Sequence, residues 1–203
     1  MTPGSPAVDD AWTGGWWQEA HIVPSPNFGP RPAGAQGRVT LVVIHSISLP
    51  PGEYGGPAVQ ELFTNRLDFD SHPAFESLRG LEVSAHFFIR RDGQVLQFVS
   101  CDDRAWHAGV SQWRGRTRCN DHSIGIELEG LEGLEFEEAQ YARLEVLLRA
   151  LAARHDLHDV VGHEHIAPGR KSDPGSGFHW GRLIKVLSEL SLSGPPTLTA
   201  AKG

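Results

Sequence analysis

Four residues in this chain have the types and spacing that a catalytic metal site needs. The run GHEHIAPGRKSDPG, residues 162–175, carries His163, Asp173 and, two positions before the aspartate, Lys171. Imidazole and carboxylate both suit Zn2+, and a catalytic zinc takes three protein ligands and keeps one position open for water. Pro168, Gly169, Pro174 and Gly175 argue against a continuous helix. A shaped loop is therefore predicted, able to fold His163 and Asp173 onto one metal with Lys171 beside it. The third ligand is expected at His45, which ends the apolar, β-branched run VTLVVIH, a predicted buried strand. His165 is a rival ligand, but Asp173 is preferred. HEH is not the helical zinc-protease motif, because Ala167 stands four residues after His163. A general base is expected on SIGIELEG, residues 123–130. Ile124, Ile126 and Leu128 take one face there, and Gly125, Glu127 and Glu129 the other. A carboxylate beside a metal can take a proton from the attacking water. Periodicity does not choose between Glu127 and Glu129.

These residues need elements to hold them. Residues 1–15, rich in Gly, Pro and Ala, are expected to be flexible, and 16–38, with four prolines in HIVPSPNFGPRPAG, to run extended over the surface. A strand is predicted at 39–45 and a helix at 58–68, where Val59, Leu62, Phe63 and Leu67 have near-helical spacing. Residues 83–100 read as two strands joined at Arg91-Asp92-Gly93, since Asp-Gly between apolar runs signals a hairpin. Residues 137–153 form the clearest helix, with Leu144, Leu147, Leu148 and Leu151 as its apolar stripe. Val160 and Val161 lead into the metal run, a last helix is predicted at 179–190, and 191–203 is expected to be a flexible tail. The mixture without strict alternation predicts an α+β domain over 16–190, a central mixed β-sheet flanked by helices.

The composition excludes several classes. The 203 residues suffice for one domain, and 39% hydrophobic with 21% charged residues is ordinary for a globular protein. A net charge of −7 argues against general nucleic-acid binding. No stretch reaches the ~20 apolar residues of a membrane helix. The start, MTPGSPAVDDAW, does not read as an export signal, so a cytoplasmic location is expected, with Cys101 and Cys119 as free thiols. A monomer is expected.

Outside the metal run, three features invite a substrate. Trp106 and His107, in RAWHAGVS, could floor a sugar or peptide groove; the plain alternative for Trp106 is a core position. Arg114, Arg116 and Arg118 form a basic cluster in an acidic chain. Arg118 is the preferred reader of substrate carboxylates, because a guanidinium pairs with them bidentately. His86 is expected to be structural.

RAWHAGVS, RCNDHSIGIELEG and GHEHIAPGRKSDPG, with VVIHSISLPPGEYGG upstream, together resemble the zinc amidases that include phage T7-type lysozymes and peptidoglycan recognition proteins. The likeness spans residues 16–190 and is greatest to the AmpD branch. The resemblance implies one Zn2+ per chain held by His45, His163 and Asp173. It implies Glu127 as catalytic acid/base and Lys171 as stabiliser of the tetrahedral intermediate. Such enzymes cleave the amide between N-acetylmuramic acid and the L-alanine of muropeptides, and the AmpD branch prefers the 1,6-anhydro form made in cell-wall recycling. Two positions depart from the pattern. Ser46 stands where asparagine is expected, and Ala74 where tyrosine is. The alternatives are a non-catalytic module that binds wall fragments, a zinc peptidase, and an exported amidase.

Overall fold

Alternation along β-strands sends successive side chains to opposite faces of a sheet, and both faces of the central sheet here are covered by apolar clusters. A computed structural model describes residues 11–199. It begins with two short antiparallel strands, β1 (Trp12–Thr13) and β2 (Trp16–Trp17), followed by β3 (His21–Ile22) and β4 (Phe28–Pro30). Then come β5 (Leu41–Ile47), α1 (Ala58–Phe63), β6 (Phe87–Ile89), β7 (Val95–Gln97), β8 (Asp103–Ala105), β9 (Gln112–Trp113) and β10 (Arg116–Thr117). The chain continues through β11 (Ser123–Glu129), α2 (Glu138–Arg154), β12 (Asp159–Gly162), α3 (His163–Ile166), α4 (Ile184–Glu189) and α5 (Pro196–Thr199). Six strands form one mixed sheet in the order β12-β5-β11-β6-β7-β3. The first four are parallel, and β7 returns antiparallel to β6. Gly93, at φ 86, supplies the left-handed residue that the turn between β6 and β7 needs. The expected mixed α/β architecture is present.

Val42, Ile44, Ile124, Ile126, Leu128 and Val160 pack against α2 in the largest apolar cluster. Leu144, Leu147, Leu148 and Leu151 of α2 are wholly buried, so truncating any one to Ala costs about 2–5 kcal/mol. Gln140 fixes α2 along the sheet. Its Oε1 accepts the Glu137 amide at 3.0 Å, and its Nε2 donates to the carbonyls of Ile89 and Glu129. On the other face, Val59, Leu62 and Phe63 of α1 meet Phe88, Leu96 and Phe98, and Leu41, Val43 and Val161 meet Ile166 and Cys119.

Several elements differ from expectation. The helix predicted to 68 stops at Phe63, because Asn65 turns left-handed at φ 56 and the Arg66 amide closes back on Glu61. Residues 16–38 are not simply a surface strip: Trp17 is 1% exposed, and Ser25 and Asn27 are buried. Residues 1–10 of the segment expected to be flexible lie outside the described residues. Its end is packed, with Trp12 buried against Trp17 and Phe87. After residue 190, Leu192 is buried and Ser193 bridges Asp159, while 200–203 lie outside the described residues. The last helix opens with a 3-10 turn, Trp180–Leu183, and the metal run begins with one helical turn, α3, before Pro168 and Gly169 end it. Cys101 and Cys119 are free and buried. No helix among the described residues is long and apolar enough to cross a membrane.

Candidate metal centre

The carboxyl ends of adjacent parallel strands form a crevice suited to ligands, and here three of them carry polar residues. β5 and β11 pair with His45 beside Glu127. β12 sets Gly162 beside Ile44, so His163 opens α3 one residue further on. The loop returns over this end. The Glu164 amide donates to the Asp173 carbonyl at 2.9 Å, and a Cβ on Gly162 would lie 2.7 Å from Cδ of Pro174. Bare backbone at 162 is what lets Asp173 come in beside His163.

His45 Nδ1, His163 Nδ1 and Asp173 Oδ2 form a triangle with sides of 3.0, 3.1 and 3.1 Å. All three residues are buried, and the set could hold a metal ion. The hydrogen-bond partners favour a cation. His163 Nε2 lies 3.1 Å from the Ala108 carbonyl oxygen, which can only accept, so the ring proton sits there and the Nδ1 lone pair faces Asp173. Burial lowers His45 to about 4, so this ring is neutral at physiological pH. Ligand atoms around a tetrahedral zinc stand roughly 3.3 Å apart, close to this triangle. His165 is not part of it: its Nδ1 accepts the Gly162 amide at 2.9 Å and its ring meets Trp180 edge to face.

A cavity of about 260 Å³ opens on the triangle, and Glu127, Lys171, Ser46 and Trp106 line it. Glu127 Oε2 is buried with no hydrogen-bond partner among the described residues. Burial, with the Asp173 carboxylate next, pushes its carboxyl well above the usual range, and Lys171 opposes this. The Ser46 hydroxyl is a second buried group without a partner among the described residues. Glu129, by contrast, accepts the amides of Gly55 and Arg91 at 2.6 and 3.1 Å.

The residues expected to touch substrate separate. Trp106 lines the cavity, anchored by its amide on the Ser84 hydroxyl at 3.0 Å. His107 also lines it, but both its ring nitrogens meet protein partners, His45 and Ser123. Arg118, its side chain 72% exposed, pairs with Asp121 and lines a neighbouring cavity that shares no lining residue with the first. Arg114 pairs with Asp159, and Arg116 bonds Thr40 and the carbonyls of Ala35 and Gln36. The sequence reading missed Asn120, whose Oδ1 accepts the amides of His107 and Ala108, and the Ser123 hydroxyl. Nothing in their spacing marks them.

The sequence model of the N-acetylmuramoyl-L-alanine amidase family, Amidase_2, matches residues 35–176. The chain is 51% identical over 179 residues to the 1,6-anhydro-N-acetylmuramyl-L-alanine amidase AmpD of Citrobacter freundii, covering 87% of this chain and 95% of the relative. Against AmpD of Escherichia coli K12 it is 50% identical over 177 residues, covering 86% and 96%. Among solved structures, a crystal structure of AmpD matches with a TM-score of 0.80 and 48% identity, over 86% of this chain and 97% of that one. The complex of the E. coli amidase AmiD with anhydro-N-acetylmuramic acid-L-Ala-D-gamma-Glu-L-Lys matches with a TM-score of 0.55 and 32% identity, over 80% and 61%. The Drosophila peptidoglycan recognition protein SD shares the fold at 20% identity, TM-score 0.52, over 82% and 95%. Agreement of sequence and fold over most of the chain places it in the N-acetylmuramoyl-L-alanine amidase family, a family of hydrolases.

Proposed function

We propose that this chain is a zinc amidase of cell-wall recycling. It cuts the amide between (1,6-anhydro-)N-acetylmuramic acid and the L-alanine of muropeptides. The observation that carries the reading is the buried triangle of His45, His163 and Asp173 with the unpartnered Glu127 on the adjoining strand. Its likeness to AmpD supplies the substrate class. The three ligands would hold Zn2+, which supplies Lewis acidity toward a carbonyl and makes water more acidic. Glu127 takes the proton of the attacking water as the new C–O bond forms. It then hands that proton to the alanine nitrogen as the C–N bond breaks, leaving a muramic carboxylate and a free amine. A carboxyl whose affinity for protons is raised by burial suits both halves of this transfer. The Lys171 ammonium, at the cavity rim, balances negative charge on the carbonyl oxygen. Trp106 gives the wall on which sugar or peptide rests, and Arg118 offers its guanidinium to carboxylates further along the stem peptide. One chain holds every one of these groups, which supports action as a monomer. The two free thiols accord with a cytosolic setting.

The test is incubation of the zinc-loaded protein with anhydromuramyl tripeptide, followed by product masses. Release of free tripeptide and anhydromuramic acid is expected. Tight binding without release would make the chain a recognition module instead, and cleavage of free stem peptide would make it a peptidase.

A further inference from the structure

His107 Nε2 lies 3.2 Å from the Ser123 hydroxyl, and its Nδ1 lies 2.9 Å from Nε2 of His45. The direction of each bond follows from the far end of this chain. Ser123 Oγ sits 2.6 Å from the Cys119 carbonyl oxygen, which only accepts, so the single hydroxyl proton points there. The hydroxyl can then meet His107 only as an acceptor, and the His107 proton must be on Nε2. The His107 Nδ1 lies 2.9 Å from His45 Nε2, and one proton is shared between these two facing nitrogens. A neutral ring with its proton on Nε2 presents a lone pair at Nδ1. That lone pair accepts the Nε2 proton of His45. The Nδ1 of His45 is left with its own lone pair, 3.0 Å from His163 and 3.1 Å from Asp173.

We propose that His107, set by Ser123 and the Cys119 carbonyl, is a positioning residue that fixes His45 with its proton on Nε2 and its Nδ1 lone pair toward the metal. The proposal rests on the reading of His45, His163 and Asp173 as metal ligands. The fold is shaped for this relay. A Cβ on Gly125 would fall 2.4 Å from His107 Cγ, so the ring lies against bare backbone of β11. Asn120 Oδ1 holds the amides of His107 and Ala108 at 3.1 and 2.8 Å. The Ala108 carbonyl in turn takes the His163 proton. Two consecutive residues thus orient both imidazole ligands, His45 through a side chain and His163 through a backbone carbonyl. Outer partners of this kind are typically worth 10–100-fold in metal affinity.

The experiment measures zinc affinity by chelator competition for the wild type, His107→Leu and His107→Asn, together with 15N NMR of the zinc-loaded wild type. Leucine fills the space without an acceptor, whereas asparagine can offer an oxygen near the lost Nδ1. The leucine variant should lose roughly 10–100-fold in affinity and the asparagine variant should recover most of it. A packing role alone would not distinguish the two. NMR should find the His107 proton on Nε2 and a through-hydrogen-bond coupling between His45 Nε2 and His107 Nδ1. A zinc-loaded wild type with the His107 proton on Nδ1 overturns the relay alone, as does a folded leucine variant that holds zinc as tightly as wild type. If that variant does not fold, the wild-type spectrum decides. A wild type that retains no zinc overturns the metal reading, and the relay with it.

Discussion

Glu127 and Glu129 stand two residues apart on one face of β11, and their surroundings differ completely. Glu129 is 3% exposed and fully engaged: Oε1 accepts the Gly55 amide at 2.6 Å and lies 3.4 Å from Arg90, and Oε2 accepts the Arg91 amide. Glu127 has a buried Oε2 with no partner among the described residues, and the Asp173 carboxylate is nearby. An unmet buried polar atom costs about 1–3 kcal/mol. The fold tolerates that cost at the strand position that pairs with His45 and avoids it two residues further on. A carboxylate whose hydrogen bonds are all made is part of the scaffold. One held without partners beside a ligand cluster is available for chemistry.

The largest effects should come from breaking the reactive end. Asp173→Ala should abolish both turnover and bound zinc, read by elemental analysis and product release. Glu127→Gln should lower kcat by at least ~10²-fold while zinc content and Tm stay as they are, because no hydrogen bond is lost. Glu129→Gln should invert this pattern. An amide group in place of one oxygen turns an N–H toward either Gly55 or Arg91, leaving a donor unmet, for about 1–3 kcal/mol of stability. Denaturant unfolding would register that loss, and kcat should stay within about tenfold of wild type. A large rate loss in Glu129→Gln with unchanged stability would exchange the two roles.

The contrast also explains what the sequence could reveal. Alternation in SIGIELEG puts both glutamates on one face, and this is where they lie. It could not choose between them, because the partners of Glu129 come from Gly55 and Arg91, far away in the chain. The apolar run ending in His45 and the Pro/Gly pattern after His163 were legible because they record local backbone geometry. The three arginines at 114, 116 and 118 read as a binding cluster, yet two of them bond Asp159, Thr40 and two carbonyls. Charge spacing reports nothing about partners that only the fold supplies. The packing of Trp12 and Trp17 was illegible for another reason: strands two residues long carry no periodicity.

A smaller effect separates buried histidines that have partners from one that has none. Both ring nitrogens of His122 are buried without a hydrogen-bond partner among the described residues, and burial, then Arg116, lowers this group from 6.5 to about 4. The unfolded chain therefore takes a proton near pH 6.5 that the folded chain refuses until about 4. The stability that depends on a neutral ring is whole above pH 6.5 and drains as pH falls to about 4. His122→Leu should flatten the fall of stability across that window by up to one bound proton, with no loss at pH 7. Denaturant midpoints at several pH values would measure it; an unchanged slope would mean that His122 is protonated in the fold.

The smallest effect is expected at Arg118, the residue furthest in character from Glu127. Its side chain is 72% exposed, already paired with Asp121 at 3.1 Å, and set in a cavity that shares no lining residue with the metal triangle. A contact from such a position to a stem-peptide carboxylate is screened by water and worth about 0–1 kcal/mol, or up to about fivefold in affinity. Arg118→Ala should therefore raise KM for a tripeptide substrate by no more than about fivefold and leave kcat alone. The penalty should shrink for a peptide whose carboxylates are amidated, since the partner is then missing from both measurements. Kinetics on the two substrates would read the difference. A KM loss of a hundredfold would show that the guanidinium leaves Asp121 and is enclosed with the substrate. An equal loss on both peptides would show that Arg118 supports the 112–118 hairpin rather than reading charge.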